Sequence, residues 1–258
     1  MDTLETLTQQ IMDGHQVTRE EALWLSKQPL EHLCRQADRI RRHFCKNTFD
    51  LCTIINGKSG RCSENCKFCA QSAHNHTDAD TYPLLSKEEI LADAKKQAAQ
   101  GVLRYSIVTA GKALSDAEID IMCDTIRQIR QETTLSVCVS FGLLTESQFC
   151  RLKETGVSRV HNNLETSERH FPNICTTHTF ADKVSAIQAA QQAGLTVCSG
   201  GIMGMGETMA DRIDMALALR DLGITSVPVN VLNPIPGTPF GEYPTLSEEE
   251  VLGILALY

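Results

Sequence analysis

Residues 86–108, SKEEILADAKKQAAQGVLRYSIV, hold one complete helix–strand unit and decide the fold class. Ser86 can cap the first helical turn, and Glu89 can reach back to complete a capping box. Gly101 ends the helical pattern, because glycine readily adopts the left-handed conformation found after a helix. Residues 103–108 then form a short, mainly apolar run. Such a run is typical of a strand in a buried parallel sheet.

The same unit recurs along the chain, and its repetition predicts the fold. Further helix starts carry a hydroxyl residue with Glu, Gln or Asp three positions later: Thr18/Glu21, Ser115/Glu118, Thr145/Gln148, Thr179/Asp182 and Ser247/Glu250. Further helices are predicted to end near Gly156, Gly194 and Gly223. The predicted strands are residues 51–56, 103–108, 135–139, 157–160, 195–198 and 226–231. Alternating strands and helices predict an α/β fold, a parallel (βα) TIM-type barrel of about six βα units.

The chain divides into two predicted regions. Residues 1–45 are expected to form a helical N-terminal extension, and residues 46–258 the barrel domain. The last helical pattern starts at Ser247 and is still running at Tyr258. We therefore expect a barrel domain that is incomplete at its C-terminus.

Composition excludes several classes of protein. A net charge of −8 argues against a general binder of nucleic acid or anionic membranes. No apolar run has the length of a membrane helix, and residues 1–17 are too polar for a secretory signal. The eleven cysteines are an odd number, so they cannot all pair in disulfides. In a reducing cytoplasm, which we expect here, clustered cysteines more often bind metal or perform redox chemistry.

Polar and thiol residues recur where the predicted strands end. In a parallel barrel the active site lies at the C-terminal ends of the strands. A single buried cysteine there would be an ordinary small apolar residue. Five candidates on five different strands instead predict one functional mouth: Ser106, Cys138, Asn163, Cys198 and Asn230.

Three cysteines lie close together on the loop after the first predicted strand: Cys62, Cys66 and Cys69. Three thiolates can hold a four-iron cubane and leave one iron without a protein ligand. That iron could chelate the amino and carboxylate groups of a methionine-type ligand. Zinc, with His74 or His76 as its fourth ligand, is the alternative. The spacing is unusual for a structural zinc site, which normally takes a second ligand pair from a distance.

The C-x-x-x-C-x-x-C loop resembles that of the radical S-adenosylmethionine (SAM) superfamily. Four stretches resemble more specifically the biotin synthase family: CSENCKFCAQS (62–72), NNLETS (162–167), VCSGGI (197–202) and VPVN (227–230). The resemblance extends from about residue 45 to the end of the chain.

The resemblance implies a sulfurtransferase that forms biotin from dethiobiotin, the last step of biotin biosynthesis. It implies that a reduced [4Fe–4S] cluster cleaves SAM to methionine and a 5′-deoxyadenosyl radical. This radical would take hydrogen from dethiobiotin, and an auxiliary iron–sulfur cluster would supply the sulfur. The implied partners are a low-potential electron donor, such as flavodoxin or ferredoxin, and a second copy of the chain in a homodimer. No nucleic acid or membrane partner is expected.

The resemblance also assigns binding residues by position. Gly200, Ile202, Gly204 and Glu207 match a glycine-rich stretch near the adenine of SAM, although a turn of this kind is by itself a weak signal. Glu165 stands at the ribose contact, where many members have Asp, and Lys183 stands where many have Arg. Asn163 and Asn230 match residues that bind the ureido ring of dethiobiotin.

The auxiliary cluster is the point of departure from the family pattern. Cys138 and Cys198 match two of its three cysteines, but Ser106 occupies the third position. Serine is a harder and poorer ligand for iron than a thiolate. Either Ser106 ligates a [2Fe–2S] cluster, or a variant cluster is held partly by Cys45, Cys52 or Cys123. We favour a variant cluster with Cys45 or Cys52. The cysteines interpreted as inert fillers are Cys34, Cys123, Cys150 and Cys175.

Two other functions remain open. The last strands of the family, one of which carries the arginine of the auxiliary cluster, are absent. A truncated or inactive paralogue that only binds metal is therefore an alternative. A radical enzyme with another substrate, such as a hydrogenase maturase, is a second alternative. The sequence around Asn163 and Asn230 argues against it.

Overall fold

A computed structural model describes residues 3–45, 47 and 49–258. Lys46, the first residue of the predicted barrel domain, lies outside the described residues, as do Met1 and Asp2 of the predicted extension. The α-helices are α1 (Leu4–Met12), α2 (Arg19–Leu25), α3 (Leu30–Cys45), α4 (Lys87–Ala99), α5 (Asp116–Glu132), α6 (Glu146–Glu154), α7 (Phe180–Gln192), α8 (Met209–Asp221) and α9 (Glu248–Leu257). The strands are β1 (Cys52–Lys58), β2 (Arg104–Thr109), β3 (Ser136–Ser140), β4 (Arg159–His161), β5 (Thr196–Cys198), β6 (Gly201–Met203) and β7 (Val229–Val231).

The predicted helix starts all form capping boxes, at α2, α4, α5, α6, α7 and α9. Even the shorter Asp182 reaches back, and accepts a hydrogen bond of 2.8 Å from the backbone N–H of Thr179. One capping box is not predicted by the sequence analysis. It joins Thr208 and Asp211 at the start of α8, directly after the glycine-rich stretch.

The sheet has the predicted parallel α/β topology. Strands β1 to β5 lie side by side in chain order, and β6 and β7 form a second parallel pair. Single parallel bridges, between Glu165 and Gly201 and between Cys198 and Ser226, connect the two sheets. The chain therefore curls towards a barrel, as the repeated units predict.

Strand β6 differs from the prediction, which treats the glycine-rich stretch as a turn. β5 and β6 are two parts of one bent strand that is interrupted at Ser199 and Gly200. The bend brings Gly200 against the segment that precedes β7 in the same chain. A Cβ atom added at Gly200 would lie 1.9 Å from the carbonyl oxygen of Pro228. Only glycine fits this approach, so the glycines shape a strand as well as the turn after it.

The two faces of the sheet differ in polarity. Outward side chains such as Tyr105 and Val137 are buried and belong to the main apolar core, together with residues of the surrounding helices. The inward face carries thiols, hydroxyls and guanidinium groups. One row in register across β1 to β5 consists of Ile54, Ser106, Cys138, Arg159 and Thr196. The prediction of strands that are apolar on both faces is therefore wrong for the inward face, which lines a functional interior.

The N-terminal helices pack on the end of the described chain. α1 and α3 contact each other, α3 contacts α9 and α2 contacts α8. Arg19 on α2 forms an ion pair of 2.6 Å with Asp214 on α8. The division into an extension and a barrel domain stays a prediction. Among the described residues, no helix combines the length and the apolar character needed to cross a membrane.

Candidate functional site

The cysteine loop follows β1 and is held by hydrogen bonds from within itself. The backbone N–H of Cys62 donates to the carbonyl of Gln71 at 2.9 Å. The side-chain N–H of Asn75 donates to the carbonyls of Cys66 (3.2 Å) and Cys69 (2.9 Å). The loop therefore fixes the backbone positions of all three cysteines, whose side chains are half-buried.

The three sulfurs of the loop are not gathered around one point as the ligands of a single zinc ion are. Thiolates around one zinc lie about 3.8 Å apart, from Zn–S bonds of about 2.3 Å in a tetrahedron. Among the described residues, only Cys66, Cys175 and His178 form a group of three possible metal ligands within 4.8 Å of one another. Cys62, Cys66 and Cys69 are thus spread more widely. The Nε2 atom of His74 lies 3.0 Å from the carbonyl of Ser63, and His74 joins no such group.

Residues 174–178, which we call the clamp segment, bind the cysteine loop from the other side of the site. The side-chain oxygen of Asn65 accepts a hydrogen bond of 2.9 Å from the backbone N–H of Thr176. The carboxylate of Glu64 lies 2.6 Å from Nδ1 of His178, and both side chains are buried. Burial raises the pKa of Glu64, but hydrogen bonds from His178 and its neighbours outweigh burial and hold that pKa below its ordinary value. The clamp segment therefore fixes the loop by charge as well as by backbone contacts.

Cys175 of the clamp segment is a residue that the sequence analysis misses. It is interpreted there as a filler, but its buried Sγ lies 3.3 Å from Nδ1 of His178 and next to the Sγ of Cys66. The contact between the two thiols lowers the pKa of Cys175 and raises that of Cys66. The Cys-x-x-His spacing from Cys175 to His178 was the signal that could have found this pair.

A cavity of about 350 Å3 lies beside the loop, at the C-terminal ends of the later strands. Four predicted binding residues and five others line it: Asn163, Glu165, Ile202 and Asn230, with Phe68, His161, Val231, Leu232 and Asn233. Phe68 belongs to the cysteine loop itself, so the cavity and the loop form one site. Burial and the nearby charge of Lys183 lower the pKa of His161.

The two asparagines present complementary groups. The Oδ1 atom of Asn163 accepts a hydrogen bond of 3.0 Å from the backbone N–H of Gly200. One amide N–H of Asn163 donates to the carboxylate of Glu165 at 3.4 Å, and the second N–H is left for another partner. In Asn230 the amide N–H instead donates to the carbonyl of Gly201 at 3.2 Å, which leaves the Oδ1 atom. One side chain thus offers a donor, and the other offers an acceptor.

Glu165 has an unusual backbone conformation, with a φ of 71°. A side chain in this left-handed region costs roughly 1–2 kcal/mol, and such conformations cluster at functional sites. Burial raises the pKa of its carboxyl group. Lys183 lies behind this wall of the cavity and donates a hydrogen bond of 3.2 Å to the side-chain oxygen of Asn162.

Glu207 lies in the turn after β6, and its place near the adenine of SAM stays a prediction. Its carboxylate accepts hydrogen bonds from the backbone N–H groups of Gly204 (2.8 Å) and Met205 (2.7 Å). The same carboxylate forms an ion pair of 2.7 Å with Arg212. Glu207 therefore holds the turn after β6, while Ile202 of β6 lines the cavity.

The predicted auxiliary residues meet inside the barrel. Ser106 and Cys138 are direct neighbours in register, and they lie in the middle of β2 and β3. The prediction that they end their strands is wrong, because β2 and β3 continue to Thr109 and Ser140. Burial raises the pKa of Cys138 to about 11.

Cys52 starts β1 two residues before Ile54, so it lies on the inward face of the strand, in register with Arg104, and its side chain is exposed. Partial burial raises the pKa of Cys52. Cys45 is exposed at the end of α3, and Cys123 is buried on α5. Arg104 starts β2.

Solved structures of known proteins share this fold. The structure matches methylornithine synthase with a TM-score of 0.84 at 21% identity, covering 97% of this chain and 76% of the other. It matches a hydrogenase maturase, HydG, with a TM-score of 0.82 at 18% identity, covering 97% and 59%. At these identities the likeness concerns the fold alone.

Sequence comparison reaches further. The model of the radical SAM superfamily matches residues 56–219. Biotin synthase of Akkermansia muciniphila is 56% identical over 257 residues, which cover 100% of this chain and 80% of that protein. Biotin synthases of Brachyspira hyodysenteriae and Clostridium botulinum are 55% and 48% identical, over 99% and 100% of this chain and 77% and 81% of theirs. With its cysteine loop and its cavity, this chain belongs to the biotin synthase family of the radical SAM superfamily.

Proposed function

We propose that this enzyme is a sulfurtransferase that converts dethiobiotin into biotin. The observation that carries the proposal is that Asn163 offers a hydrogen-bond donor and Asn230 offers an acceptor in the same cavity beside the cysteine loop. A ureido ring has N–H groups and a carbonyl side by side. It can therefore accept from Asn163 and donate to Asn230.

Cys62, Cys66 and Cys69 would hold the [4Fe–4S] cluster. When bound and reduced, this cluster supplies the electron that cleaves SAM and so starts radical chemistry on unactivated C–H bonds. The chain itself contributes position and shielding. Asn75 and the clamp segment fix the loop, and Phe68 covers the cavity next to it.

Cavity residues would hold SAM between the loop and dethiobiotin. The carboxylate of Glu165 can accept hydrogen bonds from the ribose hydroxyls, since its strained backbone directs it to the cavity. Lys183, behind the cavity, adds positive charge for the methionine carboxylate. The apolar side chain of Ile202 offers a surface for the adenine, and Glu207 acts at one remove by holding the adjoining turn.

Sulfur would come from an auxiliary iron–sulfur cluster in the barrel interior. Cys138 and Cys198 are common to both ligand sets considered, and either Ser106 or Cys52 completes them. The position of Cys52 on the inward face of β1, the same face that carries Ser106 and Cys138 on the neighbouring strands, favours Cys52 over Cys45 and Cys123. Because Ser106 and Cys138 are buried, a cluster there would be shielded from water.

The partners of the reaction follow from this chemistry. We infer a low-potential one-electron donor, such as flavodoxin or ferredoxin, and a homodimer as the working state. Thiolates that must stay free for iron suit a reducing compartment, and we infer a cytoplasmic location.

Anaerobic reconstitution with iron and 34S-sulfide tests the proposal. The reconstituted protein is incubated with reductant, SAM and dethiobiotin, and the products are measured by mass spectrometry. We expect 5′-deoxyadenosine and biotin that carries 34S. Production of 5′-deoxyadenosine without biotin would contradict the substrate, and unlabelled biotin would contradict the protein-bound source of sulfur.

A further inference from the structure

Four buried or half-buried side chains at the clamp segment make a second possible metal site. The Sγ atoms of Cys66 and Cys175 and the Nδ1 atom of His178 lie within 4.8 Å of one another. The carboxylate of Glu64 lies 2.6 Å from the same Nδ1 atom. Only Cys66 belongs to the cysteine triad of the loop. This group therefore overlaps the cluster site without coinciding with it.

The ligand types and their spacing suit one thiophilic divalent cation. Two thiolates, an imidazole and a carboxylate match the sulfur, nitrogen and oxygen donors that Zn²⁺ takes in a tetrahedron. A cation bound to Nδ1 of His178 would take the place of the proton between His178 and Glu64. It would then lie within bonding distance of the Glu64 carboxylate, which is therefore placed to be the fourth ligand. The charge is also balanced, because the ammonium of Lys183 lies near enough to act on Cys66.

We propose that the cluster-free protein binds one Zn²⁺-class cation through Cys66, Cys175, His178 and Glu64, and that this ion competes with the [4Fe–4S] cluster for Cys66. The two states exclude each other, since one thiolate cannot serve both centres in their own geometries. Cluster assembly then requires either that the ion leaves or that the site has stayed empty. By binding the cation, Cys175 would control whether the [4Fe–4S] cluster can assemble, instead of only filling space in the core.

Cobalt binding to the full chain tests the site, after its cluster has been removed anaerobically. Co²⁺ reports its ligands by ligand-field bands and by a thiolate charge-transfer band. We expect one Co²⁺ per chain, with tetrahedral bands and two thiolates. Loss of a residue that only hydrogen-bonds to a metal ligand typically weakens metal binding by about 10–100-fold. Cys175→Ala and His178→Ala each remove a direct ligand, so each should weaken Co²⁺ binding by more than that.

The matched controls are Cys62→Ala and Cys69→Ala, which remove cysteines of the same loop that are not ligands of the proposed site. Both should bind Co²⁺ like the parent. If they lose Co²⁺ binding while Cys175→Ala retains it, the ion sits in the loop triad and the proposal is overturned. Circular dichroism checks that each variant is folded.

Two measurements make the test independent of any one variant. X-ray absorption of the zinc-loaded parent should give two sulfur neighbours and two nitrogen or oxygen neighbours. Three sulfur neighbours would overturn the site. Zinc loaded before reconstitution should slow the rise of cluster absorbance in the parent and not in Cys175→Ala. Equal slowing in both would refute the competition, and neither result depends on whether biotin is formed.

Discussion

Each loop cysteine is a separate test of the cluster assignment. Replacing Cys62, Cys66 or Cys69 by Ala should abolish the formation of 5′-deoxyadenosine from SAM, because two thiolates do not hold a cubane with one open iron. The half-buried Cys150 on α6 is the control, and Cys150→Ala should behave like the parent. Chromatographic detection of 5′-deoxyadenosine decides the matter. A loop variant at the parental rate would remove that cysteine from the ligand set.

The two asparagines should govern affinity for dethiobiotin. Asn163→Ala and Asn230→Ala should each weaken binding by about 1–3 kcal/mol, the cost of leaving buried polar groups unpaired. Calorimetry on the reconstituted protein with SAM present measures the effect. The cluster absorbance should be unchanged. If iron is lost as well, the residues hold the fold and not the substrate.

His161 should give the protein an acid-side loss of stability. Burial and Lys183 lower its pKa, so the folded state stays neutral while the unfolded state binds a proton below about pH 6.5. The free energy of unfolding should therefore fall as the pH drops through that value. Urea denaturation of the parent and of His161→Gln, from about pH 7 to pH 5, isolates this residue. Parallel pH curves for the two proteins would contradict it.

At the scale of single elements, the bend between β5 and β6 is the most sensitive position. An added Cβ at Gly200 would lie 1.9 Å from the carbonyl oxygen of Pro228, so Gly200→Ala must displace one strand. Gly223→Ala is the control, because a Cβ atom added at Gly223 would lie more than 4 Å from the atoms of any residue other than its chain neighbours. The only cost expected there is the strain of an alanine at a φ of 70°. Gly200→Ala should lower the free energy of unfolding by more than the roughly 1–2 kcal/mol expected of the control. Equal losses in thermal unfolding would mean that the bend relaxes freely.

Elements could be predicted from the sequence where their signals are local. A hydroxyl and a carboxylate three residues apart, as at Ser86 and Glu89, determine a helix start by contacts within one turn. Strand β6 could not be found in this way. Its partner is β7, and the glycines at 200 and 201 serve contacts with Pro228 and Met215 that no local pattern contains.

The interior of the barrel is a property of the whole molecule, since it is assembled from five parallel strands. We expect Cys52→Ala to remove auxiliary iron and Ser106→Cys to change the iron content little, because Cys52 lies on the inward face of β1. Iron and sulfide per chain after anaerobic reconstitution, together with Mössbauer spectra, measure the outcome. Cys45→Ala is the control. Full auxiliary iron in Cys52→Ala, with a gain in Ser106→Cys, would instead favour Ser106 as the ligand.

The site could be predicted from the sequence only where its functional residues form a motif with residues close to them in the chain. The spacing of the cysteine loop is a signal of this kind, and the asparagines are assigned by resemblance to the family. Phe68 of the loop and both asparagines line one cavity. The group of Cys175 with Cys66 and His178 has no local signal that includes Cys66, because Cys66 lies far away in the chain. The role of Glu207 at SAM stays a prediction, and its ion pair with Arg212 holds the start of α8.

The contact between the clamp segment and the cysteine loop can form only late in the synthesis of the chain. Glu64 and His178 are separated by 114 residues, so the contact that steadies the cysteine loop cannot form until the ribosome has made most of the chain. At about 5–20 residues per second the delay is roughly 6–23 s. During that interval the loop has only its internal hydrogen bonds and lacks its contacts with the clamp segment. Delivery of iron and sulfide is therefore expected to be most productive after translation has passed His178, just before the seventh helix begins, and a protein made in air is most vulnerable to oxidation while it is still nascent.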